Sequence, residues 1–104
     1  MTEDETVQEL VRAAREVNDP ETGLNVLDMG LIFHLGYSAA MRRAHIVMTF
    51  TTPACPSGGV MVEGLERRLA EVEGVDDVKV DVTFETPWTP ERITPEGREA
   101  LGWH

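Results

Sequence analysis

Cys55 is the one cysteine in this chain of 104 residues. It stands in the run Thr51-Thr52-Pro53-Ala54-Cys55-Pro56-Ser57-Gly58-Gly59. A segment that reads as a β-strand, His45 to Thr51, leads into this run, and an amphipathic helix follows it. The thiol is therefore expected at a strand-to-helix turn, near the helix's first free N–H groups, which together with the helix dipole stabilise an anion. The thiolate is the nucleophilic and metal-binding form of cysteine, so this position favours chemistry. The competing role is the ordinary one of a lone cysteine, a small buried hydrophobe. Gly58-Gly59 resembles half of an anion loop but lacks the lysine; it reads as room for close approach of backbone or a ligand.

Three other groups carry polar or aromatic side chains worth placing. Asp19-Pro20-Glu21 is followed by Asp28-Met29-Gly30, and Asp28 is the only acid between residues 23 and 60. A short acid in such a setting ordinarily braces a turn. His34 and His45 each fall within a strand, and neither has metal-ligand spacing to Cys55, so both read as structural or exposed. Trp88 lies between Pro87 and Pro90, where it either anchors a partner or covers one end of the core. No phosphate-cradling loop, zinc-finger spacing or Ser-His-Asp order accompanies these. Cys55 as an enzymic nucleophile lacks a base in its own loop.

The elements that must position these residues follow from periodicity. Thr2 and Glu5 have capping-box spacing, and Val7, Leu10, Val11, Ala14 and Val17 mark one face of a first helix. Asn18-Asp19-Pro20 ends it. Leu31–Tyr37 and Ala44–Thr51 read as a hairpin; in the second strand Ile46, Met48 and Phe50 point one way and Val47, Thr49 and Thr51 the other. A second helix is predicted from Pro56 to Glu73, with Val62, Leu65, Leu69 and Val72 buried and Gly74 as its cap. In a third strand Val78, Val80, Val82 and Phe84 form the buried side and Lys79, Asp81, Thr83 and Glu85 the wet one. A short helix runs from Thr94-Pro95-Glu96 to about Gly102. The order α-β-β-α-β is an α+β sandwich, both helices on one face of a three-stranded sheet, with residues 1–104 as a single domain.

Charge narrows the partners. Nine Lys and Arg against nineteen Asp and Glu give a net charge of −10, which argues against nucleic acid and anionic membranes. One cysteine excludes an internal disulfide. The chain shows neither a signal-peptide pattern nor a bilayer-spanning apolar run, so the cytoplasm is expected. Apolar residues on alternate positions of both strand faces, among them Ile32, Phe33, Leu35, Ile46, Val47 and Met48, suggest an uncovered apolar sheet face and hence a homodimer.

Asp19-Pro20-Glu21, Asp28-Met29-Gly30-Leu31, Met48 to Pro56 and Pro87-Trp88-Thr89-Pro90-Glu91-Arg92-Ile93 occur in one order. In this the chain resembles the small SufT-like and PaaD-like proteins of the iron–sulfur cluster assembly domain family, over nearly its whole length. The resemblance implies the same α-β-β-α-β fold. It implies a non-enzymic accessory role, as adaptor or transient carrier, in maturing iron–sulfur proteins, with a labile cluster or iron held at Cys55. Partners would be the assembly machinery or client apo-proteins. Asp19, Asp28, Thr52, Pro53 and Trp88 match motif positions. The alternative is a metal-free interaction subunit, such as the PaaD-like accessory of a multicomponent oxygenase. PaaD-like members carry further cysteines toward the C-terminus that are absent here, so a self-contained zinc or cluster module there is not implied. Ser57-Gly58-Gly59 departs from the bulkier residues of many relatives and leaves more room beside the thiol.

Overall fold

The computed structural model describes residues 2–102. Helix α1 (Glu3–Ala14) begins with a reciprocal cap, Thr2 Oγ1 accepting from the Glu5 N–H at 3.1 Å and Glu5 Oε1 accepting from the Thr2 N–H at 3.3 Å. Its Thr6-Leu10-Ala14 stripe is buried. Strands β1 (Ile32–Ser38) and β2 (Arg43–Met48) form the expected hairpin, and α2 (Gly58–Ala70) carries the chain over to β3 (Asp77–Val82), which pairs parallel to β2. Parallel neighbours require such a crossover. The sheet order is β1-β2-β3, so β2 is central, and its Ala44, Ile46 and Met48 are buried against Leu10 and Ala14 of α1 and Met61, Leu65 and Leu69 of α2. A 3₁₀ turn (Pro90–Arg92) and α3 (Pro95–Ala100) follow.

The segment after β3 closes one end of the molecule by a regular device. The carbonyls of Asp28, Met29 and Gly30 accept, in succession, from the Thr94 N–H at 2.9 Å, Trp88 Nε1 at 2.7 Å and Arg92 Nε at 2.8 Å. The Arg92 guanidinium also lies 4.4 Å over the Phe33 ring. Gly30 has a φ of 73° and its Cα faces the Arg92 backbone so closely that no side chain fits there.

Three expectations need correction. Helix α2 starts at Gly58 rather than Pro56, with Ser57 as a cap that makes no side-chain hydrogen bond, because Pro56 and Ser57 belong to the turn holding Cys55. Val82 and Phe84 are 38% and 41% exposed rather than buried. α2 opens with Gly58-Gly59, so its first two positions bring no side chains to this end of the sheet. The uncovered sheet face is polar, not apolar. The register shifts between Ile32 and His34, leaving Phe33 at a bulge. Ile32, Leu35 and Ile46 thereby share the helix side, while His34, Ser38, Arg43, His45, Lys79 and Asp81 occupy the other with Val47 among them. The apolar face on which self-association was expected is not there.

Candidate functional site

The loop between β2 and α2 is anchored by Thr49, whose N–H bonds the Leu31 carbonyl at 2.8 Å. It then folds on itself: the Cys55 N–H donates to the Thr52 carbonyl at 3.1 Å, and the Gly58 N–H to the Cys55 carbonyl at 3.3 Å. Cys55 is half-buried, its inner side against the core. Its Sγ lies 3.8 Å from Glu21 Oε1.

Asp19 explains how Glu21 comes to be there. Its side chain is buried, and its Oδ1 accepts from the Glu21 N–H at 2.9 Å. Its backbone is pinned at both ends, the N–H to the Leu24 carbonyl at 2.8 Å and the carbonyl to the Gly23 N–H at 2.7 Å. Asp19 thus shapes the turn that presents Glu21 to the thiol, as Asx turns do. Glu21 was not singled out from the sequence. It lies 34 residues from Cys55, and only its place in the Asp-Pro-Glu run hinted at a role.

Thr52, Pro53 and Trp88 are brought together. With Phe50, Thr51, Phe84 and Pro87 they line a mostly apolar cleft of about 240 Å³ between the start of the Cys55 loop and the segment after β3; Cys55 itself does not line it. The Phe50 and Phe84 rings meet edge to face at 6.0 Å. Trp88 is held by its bond to the Met29 carbonyl, so it both covers the core and forms a wall of the cleft. Gly58 has a packing duty, since a Cβ there would run into the Phe50 ring, whereas a Cβ at Gly59 would meet open space. The extra room at the helix start is therefore at Gly59.

Asp28 plays the ordinary role. Its carboxylate accepts from Asn25 Nδ2 at 2.9 Å, Thr94 Oγ1 at 3.0 Å and Arg15 at 3.3 Å. Burial pushes its pKa up, but these three hydrogen bonds and the Arg15 charge outweigh that and hold it below the ordinary 3.8. It touches Cys55 through none of these bonds. His34 and His45 lie on the open sheet face, with rings 5.8 Å apart, and His45 Nε2 is 2.7 Å from Asp81 Oδ2. That hydrogen bond is the main reason Asp81 also titrates below 3.8. A groove of about 500 Å³ between α1 and α2 is lined by Glu9, Arg12, Glu16, Arg68 and Glu71 and has no part in the Cys55 loop.

As the side chains stand, no three His, Cys, Asp or Glu among the described residues converge to hold a metal ion. Cys55 and Glu21 offer one thiolate and one carboxylate. Iron–sulfur clusters are held by about four such ligands, so this chain alone does not fit a resident cluster. A cluster here would be cargo, with its remaining ligands coming from another molecule. Among the described residues no helix is long and apolar enough to cross a membrane.

Residues 7–82 match the family model described as iron-sulfur cluster assembly protein. An Fe-S protein maturation auxiliary factor of Porphyromonas gingivalis is 35% identical over 95% of this chain and 93% of its own length. A Bacillus subtilis protein named Fe-S protein maturation auxiliary factor YitW is 28% identical over 91% of this chain and 92% of its own. A crystal structure of a Bacillus anthracis domain of unknown function superposes with a TM-score of 0.89 at 28% identity, covering 98% of this chain and 96% of that one. With a family model spanning α1 to β3, a relative matched end to end and a shared fold, the chain belongs to the iron–sulfur cluster assembly protein family.

Proposed function

We propose that this chain is a cytoplasmic, non-catalytic accessory factor that hands a cluster or iron to client apo-proteins, acting as one domain through Cys55. The observation that carries this reading is the Cys55–Glu21 pair, 3.8 Å apart at the surface, in a loop whose Thr52 and Pro53 line an apolar cleft walled by Trp88 and Phe84. A single thiolate with a carboxylate neighbour binds a soft or borderline metal incompletely, which suits release rather than storage. The cleft gives a client somewhere to dock while it supplies the missing ligands. The names of the Porphyromonas and Bacillus relatives support the same role.

The test is complementation in cells lacking the gene, read as the activity of an iron–sulfur dehydratase. Cys55→Ser should leave the protein folded and abolish rescue. Glu21→Gln should reduce rescue and shorten the lifetime of any cluster signal after anaerobic reconstitution. Full rescue by Cys55→Ser would remove the carrier reading and leave the metal-free interaction subunit, for which the cleft alone suffices. The same reconstituted samples, sedimented, report whether two chains share a cluster as a dimer.

A further inference from the structure

Strands β1 and β3 are the two edges of the sheet. The Asp77 and Thr83 N–H groups, at either end of β3, turn inward and donate to the Arg42 and Met48 carbonyls at 3.2 and 2.9 Å. Backbone groups alternate in direction along a strand, so those of Val78, Val80 and Val82 turn outward. Among the described residues, no backbone hydrogen bond from outside the β2–β3 ladder reaches these three. Such an edge is ordinarily blunted by a bulge or a proline. β1 has its bulge at Phe33. β3 pairs in unbroken register over its whole length and contains no proline. Its three valines lie opposite Ala44, Ile46 and Met48, on the helix side, with Val82 left 38% exposed. Asp77, Lys79 and Asp81 occupy the open face.

We propose that this edge takes a second copy of the chain, the two β3 strands pairing antiparallel about a two-fold axis at Val80. The run Asp77-Val78-Lys79-Val80-Asp81-Val82 is self-complementary in that register. Val80 meets Val80 of the second copy, and on each side of the axis Lys79 meets Asp81 and Val78 meets Val82. The outward backbone groups of the three valines are the ones that antiparallel strands exchange, about six hydrogen bonds in all. Lys79 and Asp81 then fall at the positions without backbone bonds, where facing side chains approach most closely. Lys79 Nζ already lies over the open face, 3.8 Å from Asp81 Oδ2 of its own strand. Other registers fit less well. An axis at Lys79 or Asp81 would oppose like charges and use the inward backbone groups. An axis at Val78 would set Val80 against Asp76, which with Asp77 is already paired to Arg42 and Arg43 at 2.6 Å each. An axis at Val82 would need strand out to residue 86, but β3 ends at Val82 and the Glu85 N–H turns back to Thr83 Oγ1 at 3.3 Å. The pairing also settles where the working loops lie. Met48 is level with Val82, two residues from the axis, so the two Met48 residues stand about 20 Å apart at opposite ends of a six-stranded sheet. Each Cys55 loop starts there, so the dimer offers two separate thiols and not a shared pair.

The test uses the full-length apo Cys55→Ser protein, so that neither a thiol nor a metal joins two chains, and it does not depend on what Cys55 carries. A single strand edge is smaller than the standard interface of about 1,600 Å², so sedimentation is followed from about 10 to about 1,000 μM at physiological salt. The dimer fraction should rise over this range, with the Val78, Val80 and Val82 amides gaining protection from hydrogen exchange as it does. Lys79→Asp and Asp81→Lys should each weaken association about tenfold, since each turns two attractive cross-strand pairs repulsive. Asp81→Lys does so while lowering the net negative charge, the opposite of what general repulsion between chains of charge −10 would give. An equimolar mixture of the two variants restores both pairs and should associate as the parent does. A monomer at the highest concentration, association unchanged in both variants, or a mixture no tighter than either variant alone would overturn the proposal. Protection of the three amides only when a client apo-protein is added would overturn it too, assigning the edge to the client.

Discussion

Replacing Asp28 by alanine separates a brace from a working residue. The carboxylate, 15% exposed, accepts from Asn25 and Thr94 at 2.9 and 3.0 Å and from Arg15 at 3.3 Å. Hydrogen bonds to a charged group contribute about 1.5–3 kcal/mol each. Asn25 and Thr94 are only half-buried and recover part of that from water, which places two such bonds near the lower end. Arg15 is half exposed and contributes at most about 1 kcal/mol. Asp28→Ala should therefore cost about 2–4 kcal/mol, or about 10–25 °C in Tm for a chain of this size. Arg15→Ala should cost less than about 1 kcal/mol. The pH dependence has a definite sign. A carboxyl whose folded pKa lies below its unfolded value stabilises fully above the unfolded value, about 3.9, and loses that as pH falls through the folded one. The gap between wild type and Asp28→Ala should thus be constant from pH 7 to about 5 and close below about pH 4. Urea melts at several pH values measure this. A variant that melts like the wild type yet fails to rescue iron–sulfur enzyme activity would refute the bracing role and place Asp28 in the working site.

Gly58→Ala and Gly59→Ala should diverge in the same melts. The first drives a methyl group into Phe50 and should destabilise by about 1–3 kcal/mol; the second points into open space and should be neutral or stabilise by up to about 1 kcal/mol through helix propensity. Trp88→Phe keeps the aromatic wall but removes the donor to Met29, at a cost of about 1–2 kcal/mol for an unpaired carbonyl. Its Cys55 should be alkylated faster than the wild-type thiol if Trp88 shields the loop, and an unchanged rate would show that it does not.

Most of the fold was legible because the periodicities are local and unambiguous. The cap at Thr2, the alternation in β2 and the stripe through Leu65 and Leu69 each follow from residues a few positions apart. What misled was equally physical. A bulge at Phe33 reverses which strand positions face the helices, and nothing in the apolar run Leu31-Ile32-Phe33 marks it. Val82 and Phe84 continue a clean alternation past the point where the helix has side chains to cover them. The Thr-Thr-Pro-Ala-Cys-Pro run announced Cys55, but its neighbour Glu21 and the pairing of His45 with Asp81 join residues more than 30 positions apart. Such contacts depend on how the loops and strands are set beside one another, which spacing alone does not encode.

The three bonds onto residues 28–30 also impose an order on how the molecule is made. Their donors lie 59 residues on for Trp88, 62 for Arg92 and, through the Thr94 hydroxyl on Asp28, 66 for Thr94. During synthesis at about 5–20 residues per second, Trp88 follows Cys55 by about 2–7 s. For that interval the nascent chain lacks the Trp88 wall of the cleft, and the Met29 carbonyl has no indole N–H to pair with. Until residues 84–88 arrive the cleft has only its Phe50–Pro53 side, so it exists as a cleft only in the finished chain.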